Sequence, residues 1–258
     1  MKTATIEGNK RINDGKKTEI NYSISELDLE GQFREILNDE YYKPKYPDND
    51  VCVDVGANIG LATLYLKNFC KSIYSIEPSP LAYEALNMNV GRFKNIKTFN
   101  HAIYTHNGEI ALYGFNNEPP QTSHVGFYLN MEQNQTERII VPCKTLGTFM
   151  EENKIKYIDV LKIDVEGSEY EIFCDNTFDE FKNKIGCIVG ETHYLGEFGI
   201  PELARYLLES AGFKVEFLRG KRHPNVFKQG TYIDANGTTK RDILFPVWTN
   251  FIAWKKRK

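Results

Sequence analysis

From Val51 onward, short apolar runs alternate with stretches whose apolar residues recur at helical spacing. Val51 to Val55 reads as a buried strand ending at Gly56. Ile59 to Phe69 reads as a helix, with Leu61, Leu64, Tyr65 and Phe69 at helical intervals. Ser72 to Ile76 is a second strand, Pro80 to Val90 a helix opening just after Pro78-Ser79, and Ile96 to Ile103 a third strand. Glu109 to Phe115 and Arg138 to Cys143 read as strands of an inserted hairpin, separated by a polar stretch with Pro119-Pro120. A helix is expected over about Thr145 to Asn153, then a strand over Ile158 to Ile163, apolar apart from Asp159 and Lys162. Another helix starts near Ser168, and Ile185 to Val189 is a further strand. Ile200 to Ala211 is a helix with Pro201 in its first turn and Gly212 at its end. Phe213 to Leu218 and Asn250 to Trp254 complete the pattern as strands.

Strands separated by helices indicate βαβ units. The expected fold is therefore α/β and Rossmann-like: a mostly parallel seven-stranded sheet flanked by helices, with an N-terminal extension and an inserted hairpin. Residues 1–50 are polar with scattered aromatics and close on a turn at Pro44, Pro47 and Asp48 to Asp50. They read as an extension packing on the core, with residues 51–258 as the main domain. Sheets of this kind bind ligands outside the carboxyl ends of their strands. Attention falls on Asp54 to Gly60, Glu77, Asn100 to Ala102, Asp164 to Gly167, and Glu191 to His193.

Composition narrows the class of partner. The 258 residues suit one elaborated domain, and a formal net charge of −3 supplies no global positive field for nucleic acid or acidic lipid. No apolar run approaches the roughly 18 residues of a membrane span, and Met1 to Lys17 lacks the apolar centre of a signal peptide. The five cysteines, Cys52, Cys70, Cys143, Cys174 and Cys187, are scattered without C-x-x-C spacing and read as buried free thiols. A cytoplasmic protein is the expectation, with no nucleic-acid partner, and a homo-oligomer is compatible with it.

The segment Asp54-Val55-Gly56-Ala57-Asn58-Ile59-Gly60 runs from a strand through a glycine turn into a helix. Gly56 permits close backbone approach to a ligand, and Gly60 lets the following helix pack tightly. Glu77 ends the next strand about twenty residues on, where a carboxylate can accept hydrogen bonds from a ribose diol. The turn lacks the G-x-G-x-x-G of a dinucleotide site and the Gly-Lys-Ser/Thr of a P-loop. A ligand with a ribose but no diphosphate fits better. S-adenosylmethionine is such a ligand, its methionine end over the turn and its ammonium near Asp54 or the adjacent carbonyls.

Three segments, Asp54 to Gly60, Ile76-Glu77-Pro78-Ser79-Pro80 and Lys162-Ile163-Asp164-Val165-Glu166-Gly167-Ser168-Glu169, resemble the signatures of the FkbM-type methyltransferases. The resemblance covers about Val51 to His193. It implies a class I methyltransferase fold, S-adenosylmethionine as donor, and usually O-methylation of natural-product or carbohydrate hydroxyls. The donor site it implies comprises Asp54, Gly56, Ala57, Asn58, Gly60, Glu77, Pro78 and Asp164, with Asn100, His101 and Ala102 lining the adenine pocket. Acceptor specificity would sit in the N-terminal 50 residues and the C-terminal part, which match nothing nameable.

Independently of the family, Asp164-Val165-Glu166 and Glu191-Thr192-His193 are acid-rich tips of apolar strands. Side chains two apart on a strand share a face, so Asp164 should pair in direction with Glu166, and Glu191 with His193. Two chemistries stay open. His193 can act as general base toward an attacking hydroxyl, oriented by Asp164 or Glu191. Alternatively Asp164, Glu191 and His193 hold Mg²⁺ or Mn²⁺, which lowers the hydroxyl's pKa. The metal-free reading is preferred. Glu166 reads as a turn cap and Glu169 as a first-turn acid favouring the helix dipole.

On the acceptor side, Arg219, Lys221, Arg222, His223 and Lys228 form a basic stretch, read as a solvated loop or as a phosphate contact for a nucleotide-linked sugar. Lys255 to Lys258 reads as a solvated tail, and the loop Asn116 to Gln135, with Phe127 and Tyr128, as a candidate lid. The leading reading is an O-methyltransferase acting on a sugar, a nucleotide-sugar or a glycan, as in decoration of a surface polysaccharide. The alternatives are a polyketide or peptide acceptor, an NAD(P)-dependent oxidoreductase, or a non-catalytic nucleotide-binding protein.

Overall fold

A computed structural model describes residues 1–6, 18–22, 26–115, 124–125, 135–193, 201–218, 227–233, 239–246 and 248–256. Two strands, β1 (Lys2–Ile6) and β2 (Thr18–Tyr22), pair as an antiparallel hairpin ahead of helix α1 (Glu26–Phe33) and a π-helical turn, Arg34–Asn38. The main sheet then begins with β3 (Asn49–Val55), followed by α2 (Leu61–Leu66), β4 (Cys70–Ile76), α3 (Pro80–Val90) and β5 (Ile96–Phe99). An inserted stretch supplies β6 (Ala102–Ile103), β7 (Gly108–Phe115), β8 (His124–Val125) and β9 (Gln135–Lys144). The sheet resumes through α4 (Leu146–Glu152), β10 (Ile158–Ile163), α5 (Glu169–Cys174), α6 (Asn176–Phe181) and β11 (Ile185–His193). It ends with α7 (Pro201–Ser210), β12 (Lys214–Leu218), the hairpin β13 (Phe227–Ile233) and β14 (Thr239–Pro246), and β15 (Trp248–Trp254).

The seven-stranded sheet has the order β12-β15-β11-β10-β3-β4-β5, parallel throughout except for β15, which runs antiparallel to both its neighbours. This is a Rossmann-like arrangement with one reversed strand near its edge. Its strands are apolar because successive side chains enter opposite buried faces. Cys52, Val160, Cys187, Val189 and Ile252 pack on one face with Leu61, Leu64, Leu86 and Val90. Val53, Val55, Leu161, Ile163, Phe251 and Ala253 pack on the other with Phe149, Ile172, Phe173 and Leu208.

The N-terminal residues share the first of these cores through Ile20, Tyr22, Leu29, Ile36, Leu37 and Tyr42. Asn89 of α3 fastens them: its Oδ1 accepts from the Asn21 N–H at 2.8 Å, and its Nδ2 donates to the Asn21 and Ile59 carbonyls at 2.8 Å each. No helix among the described residues is long and apolar enough to cross a membrane.

Several boundaries differ from the sequence reading. The expected strand Ile96 to Ile103 breaks in two, because Asn100 Nδ2 donates to the Glu77 and Pro78 carbonyls and turns the chain out of the sheet. Ala102 and Ile103 pair instead with Cys143 and Lys144 in a four-stranded sheet, order β6-β9-β7-β8. The expected hairpin of the insertion is β7 against β9. The helix expected over Ile59 to Phe69 is confined to Leu61–Leu66, and β11 extends past Val189, its last three residues pairing with Trp248 to Asn250. Cys174 is exposed, in contrast to the other four cysteines, which are buried. Lys255 is not a free tail residue: its ammonium donates to the Lys182 carbonyl at 2.7 Å and lies 4.2 Å from the centre of the Phe213 ring.

Candidate active site

The carboxyl ends of β3, β4, β10 and β11 meet around the glycine turn. At Gly56 the backbone has φ +76°, and a Cβ there would stand 1.9 Å from the Asp164 carbonyl oxygen. Glycine is required because the turn and the end of β10 touch through main chain. Gly60, at φ +91°, packs under α3: a Cβ would meet Leu86 Cδ1 at 2.8 Å and Val90 Cγ1 at 3.2 Å. Its close contact is thus with the helix after β4, beyond the sheet packing expected. Asn58 completes the turn with φ 49°, and Ala57 is buried.

Glu77 at the end of β4 is held from both sides. Its Oε2 accepts from the Asn58 N–H and its Oε1 from the Ser79 N–H, each at 2.8 Å. Burial nevertheless pushes its carboxyl up to about 7, against the pull of those two donors. A carboxylate oxygen has two acceptor positions, so one on each oxygen stays available to a ligand diol. Pro78 follows and leads into α3. Asn100 is half-buried, its amide spent on the Glu77–Pro78 carbonyls. His101 is buried with Nδ1 3.0 Å from the Ala102 carbonyl, beside the rings of Phe99 and Phe149; burial lowers its pKa, keeping it neutral.

Asp54 has a different setting from the ammonium contact expected of it. It is fully buried, its Oδ2 accepting from the Thr63 hydroxyl at 2.6 Å, and its Oδ1 lies 3.3 Å from Lys162 Nζ. Lys162, 2 % exposed on β10, also donates to the Gly56 carbonyl at 2.5 Å and lies 3.9 Å from Asp164 Oδ2. Burial disfavours its charge, but Asp54 and Asp164 outweigh this and raise its pKa. The lysine therefore ties the glycine turn to two carboxylates from beneath. The sequence showed it only as a polar interruption in an apolar strand.

At the ends of β10 and β11 an imidazole sits among carboxylates. His193 Nδ1 donates to Glu169 Oε1 at 3.2 Å. Its Nε2 lies 3.4 Å from Glu166 Oε2 and 3.6 Å from Glu191 Oε2. Glu169 is 0 % exposed and also accepts from the Val165 and Gly167 N–H groups, at 2.9 and 3.0 Å. It does lie in the first turn of α5, as expected, and beyond that position it folds its own loop and fixes the histidine ring. Glu166 is not on a strand, since β10 ends at Ile163. It reaches His193 from a turn, with φ 54°, so the two-residue alternation argument does not apply to Asp164 and Glu166. The alternation does hold for Glu191 and His193, which lie within β11.

Two more groups were not legible in the sequence. Tyr42 donates its hydroxyl to Asp164 Oδ2 at 2.7 Å, and Asn250 Nδ2 donates to Glu191 Oε1 at 2.6 Å. Burial and the Asp164 charge raise the Tyr42 pKa far above its usual value, so it stays a donor. Burial, then Asp164, lifts Glu191 to about 8, while His193 pulls the other way. Burial opposes the His193 charge, but Glu169 and Glu166 outweigh it and raise its pKa well above the usual range. Asp164, Glu191 and His193 each offer one ligand atom, all within 4.8 Å of one another. Arg219, Lys221, Arg222 and His223 lie outside the described residues, as do the side chain of Lys228 and the loop proper between Asn116 and Gln135.

The site thus joins a glycine turn at the end of β3 to a buried acid at the end of β4 of an open α/β sheet. Residues 54–215 match the model of the methyltransferase FkbM domain: the chain is a methyltransferase and belongs to the FkbM family. It is 27% identical over 240 residues to methyltransferase sdnD of Sordaria araneosa, which covers 81% of this chain and 92% of that one. Methyltransferase 1 of Beauveria bassiana is 28% identical over 211 residues, covering 74% of this chain and 83% of its own. Among solved structures, a precorrin 8w decarboxylase from Methanobacterium thermoautotrophicum aligns at 17% identity over 91% of this chain and 92% of that one, with a TM-score of 0.43. TYW2 of M. jannaschii, solved in complex with AdoMet, aligns at 14% identity over 92% and 80%, with a TM-score of 0.40.

Proposed function

We propose that this protein transfers the methyl group of S-adenosylmethionine to a hydroxyl oxygen of a small sugar-like acceptor, with His193 taking the hydroxyl proton. The donor fits the residues on the page. Asn58 Oδ1, Ser79 Oγ and Asp164 Oδ1 are buried side-chain atoms without a hydrogen-bond partner, and all three lie just past the ends of β3, β4 and β10. Asn58, Ser79 and Asp164 thus have unspent polar capacity where a ligand would lie. Glu77 supplies the diol acceptor. Charge selects in the same direction: among the described residues, the carboxylates of Asp54, Asp164, Glu166 and Glu169 outnumber the cations Lys162 and His193 with which they pair. A cationic donor suits that surround, and a pyrophosphate does not. The same surround disfavours a nucleic-acid phosphate beside the reacting centre.

When bound, the donor supplies a sulfonium-activated methyl group. Everything else falls to the protein. Glu169 holds the Nδ1–H of His193 and so fixes which nitrogen faces the acceptor. Nε2 then takes the proton of the attacking hydroxyl as the oxygen–carbon bond forms and the carbon–sulfur bond breaks. A protonated His193 cannot do this. The carboxylates that raise its pKa make it a stronger base, and a cation arriving beside Asp164 would oppose that rise and release the resting proton to solvent. The observation that carries the reading is the Glu169–His193 pair at the strand ends next to the donor turn.

A second reading rests on the approach of Asp164, Glu191 and His193 to within 4.8 Å. Mg²⁺ binds oxygen at about 2.0–2.1 Å, so ligands on opposite sides of one ion stand about 4.2 Å apart at most. Glu169 behind His193 would serve a metal as well as it serves a base. One experiment separates the two: transfer of isotopically labelled methyl from S-adenosylmethionine to neutral polyols, sugars and nucleotide-sugars, with wild type, His193→Gln and EDTA-treated enzyme. The base reading expects His193→Gln to lose roughly 10²–10⁴-fold in kcat and EDTA to have no effect. Loss with EDTA restored by Mg²⁺ or Mn²⁺ would favour the metal, and full activity of His193→Gln would sink the base.

A further inference from the structure

Two residues from outside the family-matched stretch reach into the catalytic cluster, one from each side. Tyr42 precedes residue 54 and Asn250 follows residue 215. Each spends its side-chain donor on one oxygen of an acid: Tyr42 on Asp164 Oδ2 at 2.7 Å, Asn250 on Glu191 Oε1 at 2.6 Å. The second oxygen of each acid is left for other work. Asp164 Oδ1 is buried with no partner, and Glu191 Oε2 faces His193 Nε2 at 3.6 Å.

Resting on the methyl-transfer reading, we propose that Tyr42 and Asn250 are positioning residues that fix the rotamers of Asp164 and Glu191, so that segments flanking the family-matched stretch complete the active site.

The physical case is one of angular freedom. An aspartate at the first residue after a strand can rotate about χ1 and χ2 unless both are constrained, and Asp164 is the first residue past β10. Beneath it, Lys162 Nζ is 3.9 Å from Oδ2, too far for a directional hydrogen bond and no more than an electrostatic tether. The Tyr42 hydroxyl is the short, directional contact. Tyr42 itself is buried, its ring 5.3 Å below the Lys162 ammonium, and Ile36 and Leu37 just before it are anchored in the core. A stiff aromatic on an anchored segment is a rigid donor. A hydrogen bond to a charged acceptor is worth about 1.5–3 kcal/mol, and an acid that wanders from its reactive geometry is felt in the transition state more than in ground-state binding. Asn250 does for Glu191 what Tyr42 does for Asp164, from a buried position on β15 paired directly opposite it.

The test is a double-mutant cycle on methyl transfer with Tyr42→Phe, Asp164→Asn and the pair, beside calorimetric Kd values for S-adenosylmethionine. Tyr42→Phe keeps the buried ring and removes only the hydroxyl. The expectation is a fall in kcat of roughly 10- to 100-fold, the hydrogen bond's worth expressed as rate. The donor Kd should move less than about threefold, and the double mutant should be no slower than Asp164→Asn alone. A Tyr42→Phe enzyme with unchanged kcat would overturn the proposal while leaving methyl transfer standing. So would an additive cycle, since it would show that Tyr42 acts on overall packing and not through Asp164. A wild-type enzyme that binds the donor yet methylates no acceptor would overturn the reading beneath it. Asn250→Ala run beside Asn250→Asp guards the second arm: if both leave kcat intact, Glu191 needs no such brace.

Discussion

Replacing Lys162 by Met keeps the length and volume of the buried stem and deletes the ammonium. In the wild type that ammonium lies 3.3 Å from Asp54 Oδ1, donates to the Gly56 carbonyl and stands 3.9 Å from Asp164. Asp164 keeps its Tyr42 hydrogen bond and is partly exposed to solvent. Asp54 is fully buried, with one oxygen on Thr63 and the other left to the lysine. Breaking a buried pair by removing one partner costs about 3–5 kcal/mol, because the remaining charge stays dry and unpaired. At about 2–4 °C per kcal/mol for a domain of this size, the melting temperature should drop by about 6–20 °C. Thermal unfolding followed by circular dichroism reads this directly, with Asp54→Asn as the control: Lys162→Met/Asp54→Asn should recover most of the loss, since the neutral amide can still accept from Thr63. A cost below about 1 kcal/mol for Lys162→Met, or a double mutant no better than the single, would refute the claim that this pair holds the glycine turn.

Other expectations concern the remaining acids. Glu77 has a folded-state pKa of about 7 against an ordinary 4.5, so its contribution to stability is present below about pH 4.5 and is lost as pH rises through 7. Donor affinity should run the opposite way: the apparent Kd for S-adenosylmethionine should fall roughly tenfold between about pH 6 and pH 8, as the carboxylate ionises. Calorimetry across that window checks it, and a flat profile would mean that Glu77 does not hold the ribose. Glu169→Gln should lower kcat roughly 10- to 100-fold by loosening His193, with the donor Kd within about threefold. An unchanged kcat would remove Glu169 from the mechanism.

The sequence carried the parts of this site that are local. Strand, glycine turn, helix, strand and acid follow one another within Asn49 to Ser79, so apolar patterning and turn chemistry placed Gly56 and Glu77 directly. The alternation rule likewise put Glu191 and His193 on one face, since both lie in β11. It failed for Glu166, because the strand stops at Ile163 and a turn with positive φ delivers that side chain. The long-range partners left no local trace. Tyr42 and Asp164 are 122 residues apart and Asn250 and Glu191 are 59 apart, and nothing in the spacing of a tyrosine or an asparagine announces such a meeting. Glu169 was read from its local place alone, in the first turn of α5, and its further contact with His193, 24 residues on, left no local trace. Lys162 was the one readable signal passed over: a lysine inside an apolar strand, two residues before an acid at its end, is expensive to bury without a counter-charge.

The most direct test of the donor site at the centre of this account is isothermal titration of S-adenosylmethionine, S-adenosylhomocysteine and NAD⁺ into wild type and Glu77→Ala. The account predicts micromolar binding of both sulfur compounds, about −8 kcal/mol, sharply weakened in Glu77→Ala, and no measurable heat with NAD⁺. Absence of binding by either sulfur compound, or a preference for NAD⁺, would contradict it.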